Sequence, residues 1–154
     1  MALTTLGNTA FSTSAVVSAT IKDSAVVYNK LDANTAHTDR NQSFSVGQRG
    51  TISALGVQTS TVTLDMNTAN YFSLTANGNI TIANPSNLTA GQAGAIIVTA
   101  NGNYTTSFGS QWRFASGTAP TLSTTAGKVD RLDYVVQSSN TIHTVATIDL
   151  LGTA

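Results

Sequence analysis

An all-β fold is the class this sequence predicts, on three observations. Charged residues make up only 9% of the 154 and glutamate is absent, so solubility rests on hydroxyls and amides. Threonine, which favours strands, is abundant, while the long-chain helix formers are scarce. From Thr51 onward the apolar residues recur at a period of two. The expected architecture is a single β-sandwich or jelly-roll-like domain over residues 43–154, behind an extended N-terminal arm over residues 1–42. A chain of this length holds one domain with a real core plus an appendage.

The arm contains two decapeptide units. Ser14-Ala15-Val16-Val17 returns ten residues later as Ser24-Ala25-Val26-Val27, and Ile21 and Leu31 each stand eighth in their unit. Units this short cannot bury an apolar face alone and gain stability by packing on neighbours or on other chains. Val16, Val17, Ile21, Val26, Val27 and Leu31 are therefore expected at a docking or oligomer interface. Polar and turn-forming residues from Asp32 to Arg49 form a linker, with one helical turn expected around Ser45 to Arg49.

The strands follow in order. Thr61 to Met66 alternates so that Val62, Leu64 and Met66 share one face. Phe72 and Leu74 continue the pattern in the next strand, and Ile80 and Ile82 in the one after. The pentapeptide Thr-Ala-Asn-Gly-Asn occurs at Thr75–Asn79 and again at Thr99–Asn103. Asn-Gly between alternating strands signals a type I′ turn, which predicts hairpins at Asn77-Gly78 and Asn101-Gly102. Asn84 to Gly94 is a loop anchored by Leu88. Ala95 to Thr99 is apolar on both faces and belongs at a sheet centre or against another subunit. Tyr104 to Phe108 is expected to pair with it across the second hairpin. After a loop at Ala115–Thr121, Val129 to Gln137 forms a strand, Ser138-Ser139-Asn140 turns, and Thr141 to Leu150 returns with Ile142, Ala146, Ile148 and Leu150 facing inward.

Several function classes are disfavoured. Seven basic and seven acidic residues are scattered singly, without the basic cluster that nucleic acid or an anionic membrane surface requires. No apolar run approaches the length of a membrane span, and no secretory signal is read at the N-terminus. Cysteine is absent, which excludes disulfide and thiolate chemistry. The spacing of acids and of His37 and His143 fits neither a zinc nor a calcium site, and no Gly-x-Ser-x-Gly elbow is present. No catalytic residue, cofactor or metal is expected. Asp130 and Asp133 are the one close carboxylate pair, but residues three apart on a strand project to opposite faces and cannot flank one glycosidic bond. Arg131 and Asp133 share a face and suit a surface or intersubunit ion pair. Trp112 and Phe114, alternating with Gln111 and Arg113, are expected in the core together with Tyr134. A sugar-stacking role for Trp112 is the alternative.

Two groups of motifs carry a resemblance. Asn70–Ser73, Gly78-Asn79, Ala83-Asn84-Pro85, Leu88–Gly94, Ile97–Thr99, Phe108–Phe114, Gly117–Leu122 and Val129–Tyr134 together resemble a C-terminal domain that recurs in bacteriophage tail-fibre and other virion structural proteins. Asp23–Leu31 is similar to the Asp-x-Ala-Val-x-x-x-Lys-Leu repeats of phage fibre shafts. The resemblance spans about residues 43–149 and implies a homotrimer in a virion, assembled in the host cytoplasm and docked through its arm. It also implies partners among the tail or capsid proteins and a host-surface polysaccharide as a further contact. The functions it implies are a small trimeric tail fibre or a capsid decoration or cement protein; a host-glycan-binding module acting through Trp112 is a separate alternative.

Overall fold

The computed structural model describes residues 47–150. The arm, its six expected docking residues and the start of the expected helical turn lie outside the described residues. Among the described residues nine strands follow in order: β1 (Ile52–Gln58), β2 (Thr61–Val62), β3 (Tyr71–Ala76), β4 (Ile80–Ile82), β5 (Ala93–Ala100), β6 (Thr106–Phe108), β7 (Trp112–Arg113), β8 (Val129–Ser138) and β9 (Thr141–Thr147). A 3-10 turn at Ala115–Gly117 interrupts the loop before β8. The all-β expectation holds.

The strands form a six-stranded sheet in the order β1-β3-β5-β8-β9-β7 and a three-stranded sheet in the order β2-β4-β6. β1, β3 and β5 pair in parallel, and so do β2, β4 and β6. A parallel pair needs a crossover, and here each crossover runs through the opposite sheet. The chain thus winds through three stacked coils (β1–β2, β3–β4 and β5–β6), each giving one strand to each sheet. β8 and β9 then extend the larger sheet antiparallel, and β7 lies parallel to β9 at its far edge.

This strand order corrects the two expected hairpins and differs from a hairpin-linked jelly roll. A type I′ turn would put Asn77 and Asn101 at positive φ, and neither has it; among the described non-glycine residues only Asn87, Ser116 and Asp149 do. The repeated pentapeptide is instead one corner of the coil, used twice. Thr75 and Ala76 lie in register with Thr99 and Ala100, and the Asn101 side-chain amide donates to the Asn77 Oδ1 at 3.1 Å. Gly78 is needed because a Cβ there would lie 2.7 Å from the Thr59 carbonyl of the coil below. A second correction follows from the same winding. Thr106–Phe108 pairs with β4 in the smaller sheet, not with β5.

The inward faces of both sheets share one core, including Val62, Phe72, Leu74, Ile80, Ile82, Ile96, Val98, Leu132, Val136 and Ile142; the expected Thr61–Met66 strand ends at Val62, yet Leu64 and Met66 of the chain beyond it join the same core. Strand parity therefore survives where the pairing partner was mistaken, since a side chain's face depends only on its own strand's alternation. Burying each of the larger aliphatics or Phe72 contributes about 1.5–3 kcal/mol. Leu88 packs against the core as the anchor of its loop. Ala146 is half-buried as expected, but Ile148 and Leu150 are exposed. β9 ends at Thr147, and Asp149 at φ 55° turns the chain out of the alternation.

Candidate functional site

The residues that stand out chemically are mostly spent on locking coil to coil. Asp130 is 1% exposed and accepts three hydrogen bonds: from the Ser123 N–H at 2.6 Å, the Ser123 hydroxyl at 2.8 Å and the Asp149 N–H at 2.7 Å. It ties the loop before β8 and the chain after β9 to one carboxylate. Asp133 projects from the opposite face of β8 and pairs with Arg131 across the strand surface, Nε to Oδ2 at 3.0 Å. The expected ion pair is formed within one chain, and being half exposed it contributes about 0–1 kcal/mol. The two carboxylates do not converge on a shared space.

Trp112 is 4% exposed, with its indole N–H donating to the Ala83 carbonyl at 3.0 Å. Its ring meets Phe108 and Tyr134 edge-on, with centroids 6.4 Å away in each case. No open face remains to stack on a sugar, which corrects the glycan contact assigned to it. Phe114 packs beside it against Phe108 at 4.7 Å. Tyr134 is buried and donates its hydroxyl to the Asn70 carbonyl at 2.8 Å. Burial pushes its phenol up to about 12, with the nearby Tyr71 adding to the effect.

Further polar locks join successive coils. The Asn84 Oδ1 accepts from the Gln111 N–H, and its amide donates to the Ser110 hydroxyl. The Asn79 Oδ1 accepts from both the N–H and the hydroxyl of Thr105. The Gln92 amide donates to the Met66 carbonyl and to the Asn70 Oδ1. The Asn87 amide and the Asn67 N–H hold the Asp65 carboxyl below its ordinary range. Gly94 and Gly109 leave room for these contacts, since a Cβ would strike the Asn70 carbonyl at the first and the Asn84 side chain at the second. Sequence reading missed this ladder, although the 24-residue return of Thr-Ala-Asn-Gly-Asn was its signal.

What is left for function is surface. The outward face of the larger sheet carries a row running Ile52–Tyr71–Ala95–Asp133–Val145 across β1, β3, β5, β8 and β9. Ile52 is 51% exposed, Tyr71 40% and Val145 69%; Val135 is exposed beside this row, and Val57 is exposed on the same face at the other end of β1. β1 is also an edge strand seven residues long, and no strand among the described residues pairs with its outer side. His143 lies on this face beside Val135 and Arg113, as its place on the polar side of β9 predicted. Among the described residues, no group of three or more His, Cys, Asp or Glu converges as metal ligands would. No helix there is long and apolar enough to cross a membrane. In comparisons with known proteins, no family model, curated protein or solved structure matches this chain.

Proposed function

We propose that this chain is a structural component of a phage-type particle, a small homotrimeric fibre or fibre-like subunit. It acts by assembly and not by catalysis. The observation that carries this reading is the outer face of the six-stranded sheet, where Ile52, Val57, Tyr71, Val135 and Val145 stand exposed on a chain without net charge. Exposed apolar side chains gathered on one face mark an interaction surface more than a solvated one. The open edge of β1 adjoins it, and an uncovered edge of that length invites aggregation unless another chain covers it. Three chains meeting on this face would hide both features. The arm then supplies attachment to the virion, and threefold linkage raises its strength by avidity.

The polar ladders support the same reading. A scaffold whose polar side chains mostly bond to the next coil is suited to bearing load. The resemblance to phage fibre domains also rests partly on ladder residues, among them Asn70, Asn84, Gln92, Gly94 and Asp130. The test is sedimentation of the full chain at micromolar concentration beside an Ile52→Asp, Val145→Asp double variant. The reading expects a trimer that the double variant reduces to a monomer with unchanged far-ultraviolet circular dichroism. A wild-type monomer, or a variant that remains trimeric, would overturn the assignment of this face.

A further inference from the structure

The two sheets end differently. Past β5 the larger sheet continues through β8, β9 and β7, while the smaller sheet stops at β6. Within β6 the backbone groups alternate in direction. The Ile80 N–H donates to the Thr105 carbonyl and the Gly109 N–H donates to the Ile82 carbonyl. With Ile80 opposite Thr106 and Ile82 opposite Phe108, the Ser107 N–H and C=O also face β4. The N–H and C=O of Thr106 and Phe108 therefore face the other way, where no strand among the described residues pairs with them.

On that side lies an open cleft of about 420 Å³. β6 forms one wall. The other is the unpaired chain around Pro120, Thr121, Leu122 and Thr124. That far wall is pinned in place, because Leu122 is buried in the core and Ser123 is held by Asp130. No charged side chain lines the cleft.

We propose that this cleft is an acceptor slot for an extended, uncharged peptide segment of a partner protein, which enters beside β6 as a fourth strand of the smaller sheet. A strand edge presents N–H and C=O groups at the spacing that another strand's groups match, so Thr106 and Phe108 offer up to four main-chain hydrogen bonds. β4 already occupies the other side of β6 in the parallel register that the guest would repeat. Phe108 and Pro120 supply apolar contact, and the threonine hydroxyls accommodate small polar side chains. A charged side chain would lose its hydration there with nothing to replace it. Neutral sugars also suit hydroxyl-lined clefts, but the periodic edge of paired donors and acceptors is matched by a polypeptide backbone. The slot is separate from the outer face of the larger sheet, and it stands whether or not that face assembles.

The probe is a blocked synthetic peptide, Asn-Ile-Thr-Ile-Ala, the sequence of β4 and its flanks at Asn79–Ala83. It is added at millimolar concentration to the isotope-labelled full chain, and amide exchange is followed by nuclear magnetic resonance. The slot predicts that exchange at Thr106 and Phe108 slows about tenfold or more, while Ser107, already bonded to β4, is unchanged. Methylating the peptide's backbone nitrogens should abolish the effect. Thr106→Pro removes one edge donor without touching the β4 ladder, a position where a strand tolerates proline, and should fold yet no longer take the peptide. If Thr106→Pro does not fold, the methylated peptide decides on the unsubstituted chain. Unchanged exchange, equal binding of the methylated peptide, or protection by a neutral oligosaccharide such as maltotriose in place of the peptide would each overturn the proposal.

Discussion

Replacing Asp130 by Asn removes one acceptor from a carboxylate that serves three donors. The change is nearly isosteric, so the cost is electrostatic and not steric. If the new amide nitrogen takes the Oδ2 position, it faces the Ser123 N–H; if it takes the Oδ1 position, it faces the Asp149 N–H. The Ser123 hydroxyl can rotate to accept in the second case, but a backbone N–H cannot. Either orientation strands one backbone donor beside a group that is 1% exposed, which costs about 1–3 kcal/mol. For a domain near 100 residues this corresponds to a Tm lower by about 4–20 °C. Urea unfolding followed by tryptophan fluorescence measures it, since Trp112 is the sole indole and lies in the core. Asp133→Asn is the matched control: it disturbs only a half-exposed pair and should fall within about 1 kcal/mol of wild type. Equal costs for the two substitutions, or no cost for Asp130→Asn, would refute the claim that strand parity gives these neighbouring acids unlike tasks.

The asparagine ladder predicts that Asn77→Ala and Asn101→Ala couple, with a double-mutant-cycle energy of about 0.5–1.5 kcal/mol; independent effects would place the two corners apart. Gly94→Ala should destabilise by about 3 kcal/mol, because the added carbon strikes the Asn70 carbonyl and crowds the Tyr134 hydroxyl; a near-neutral result in denaturant melts would contradict that packing. Tyr134 has its folded pKa raised to about 12 from 10, so its contribution to stability is fully present below pH 10 and is lost as pH rises toward 12. Tyr134→Phe should flatten that alkaline decline at a cost of about 1 kcal/mol for the lost bond to Asn70; a decline unchanged in the variant would assign it to another group.

Much of the core was legible from alternation alone. Val62, Leu64, Met66, Phe72, Leu74, Ile80, Ile82 and Ile142 all face inward as their parity predicts. The central position of Ala95–Thr99 was legible too, because residues apolar on both faces need cover on both. The partners of the strands were not, apart from β8 with β9, which the turn at Ser138–Asn140 joins as expected. Asn-Gly is the strongest hairpin signal in short-range reasoning, yet the same two residues serve a solenoid corner, where one asparagine bonds the next and glycine admits the neighbouring backbone. Local turn chemistry cannot tell these apart, whereas the 24-residue recurrence of the whole pentapeptide could have. Ile148 and Leu150 misled for a related reason: alternation persists in the sequence after β9 has ended at Thr147, and Asp149 then turns the backbone away before Leu150. Of the candidate sites, Arg131 with Asp133 was legible as a same-face pair. Trp112 was legible as core but not as a donor to Ala83, a contact 29 residues distant that exists only once the coils stack.

The claim that this chain is a particle subunit is tested most directly by quantifying it in purified virions from the source that encodes it. The account predicts that the chain copurifies with intact particles in a copy number that is a multiple of three. Recovery only from the soluble fraction, with none on the particles, would contradict it.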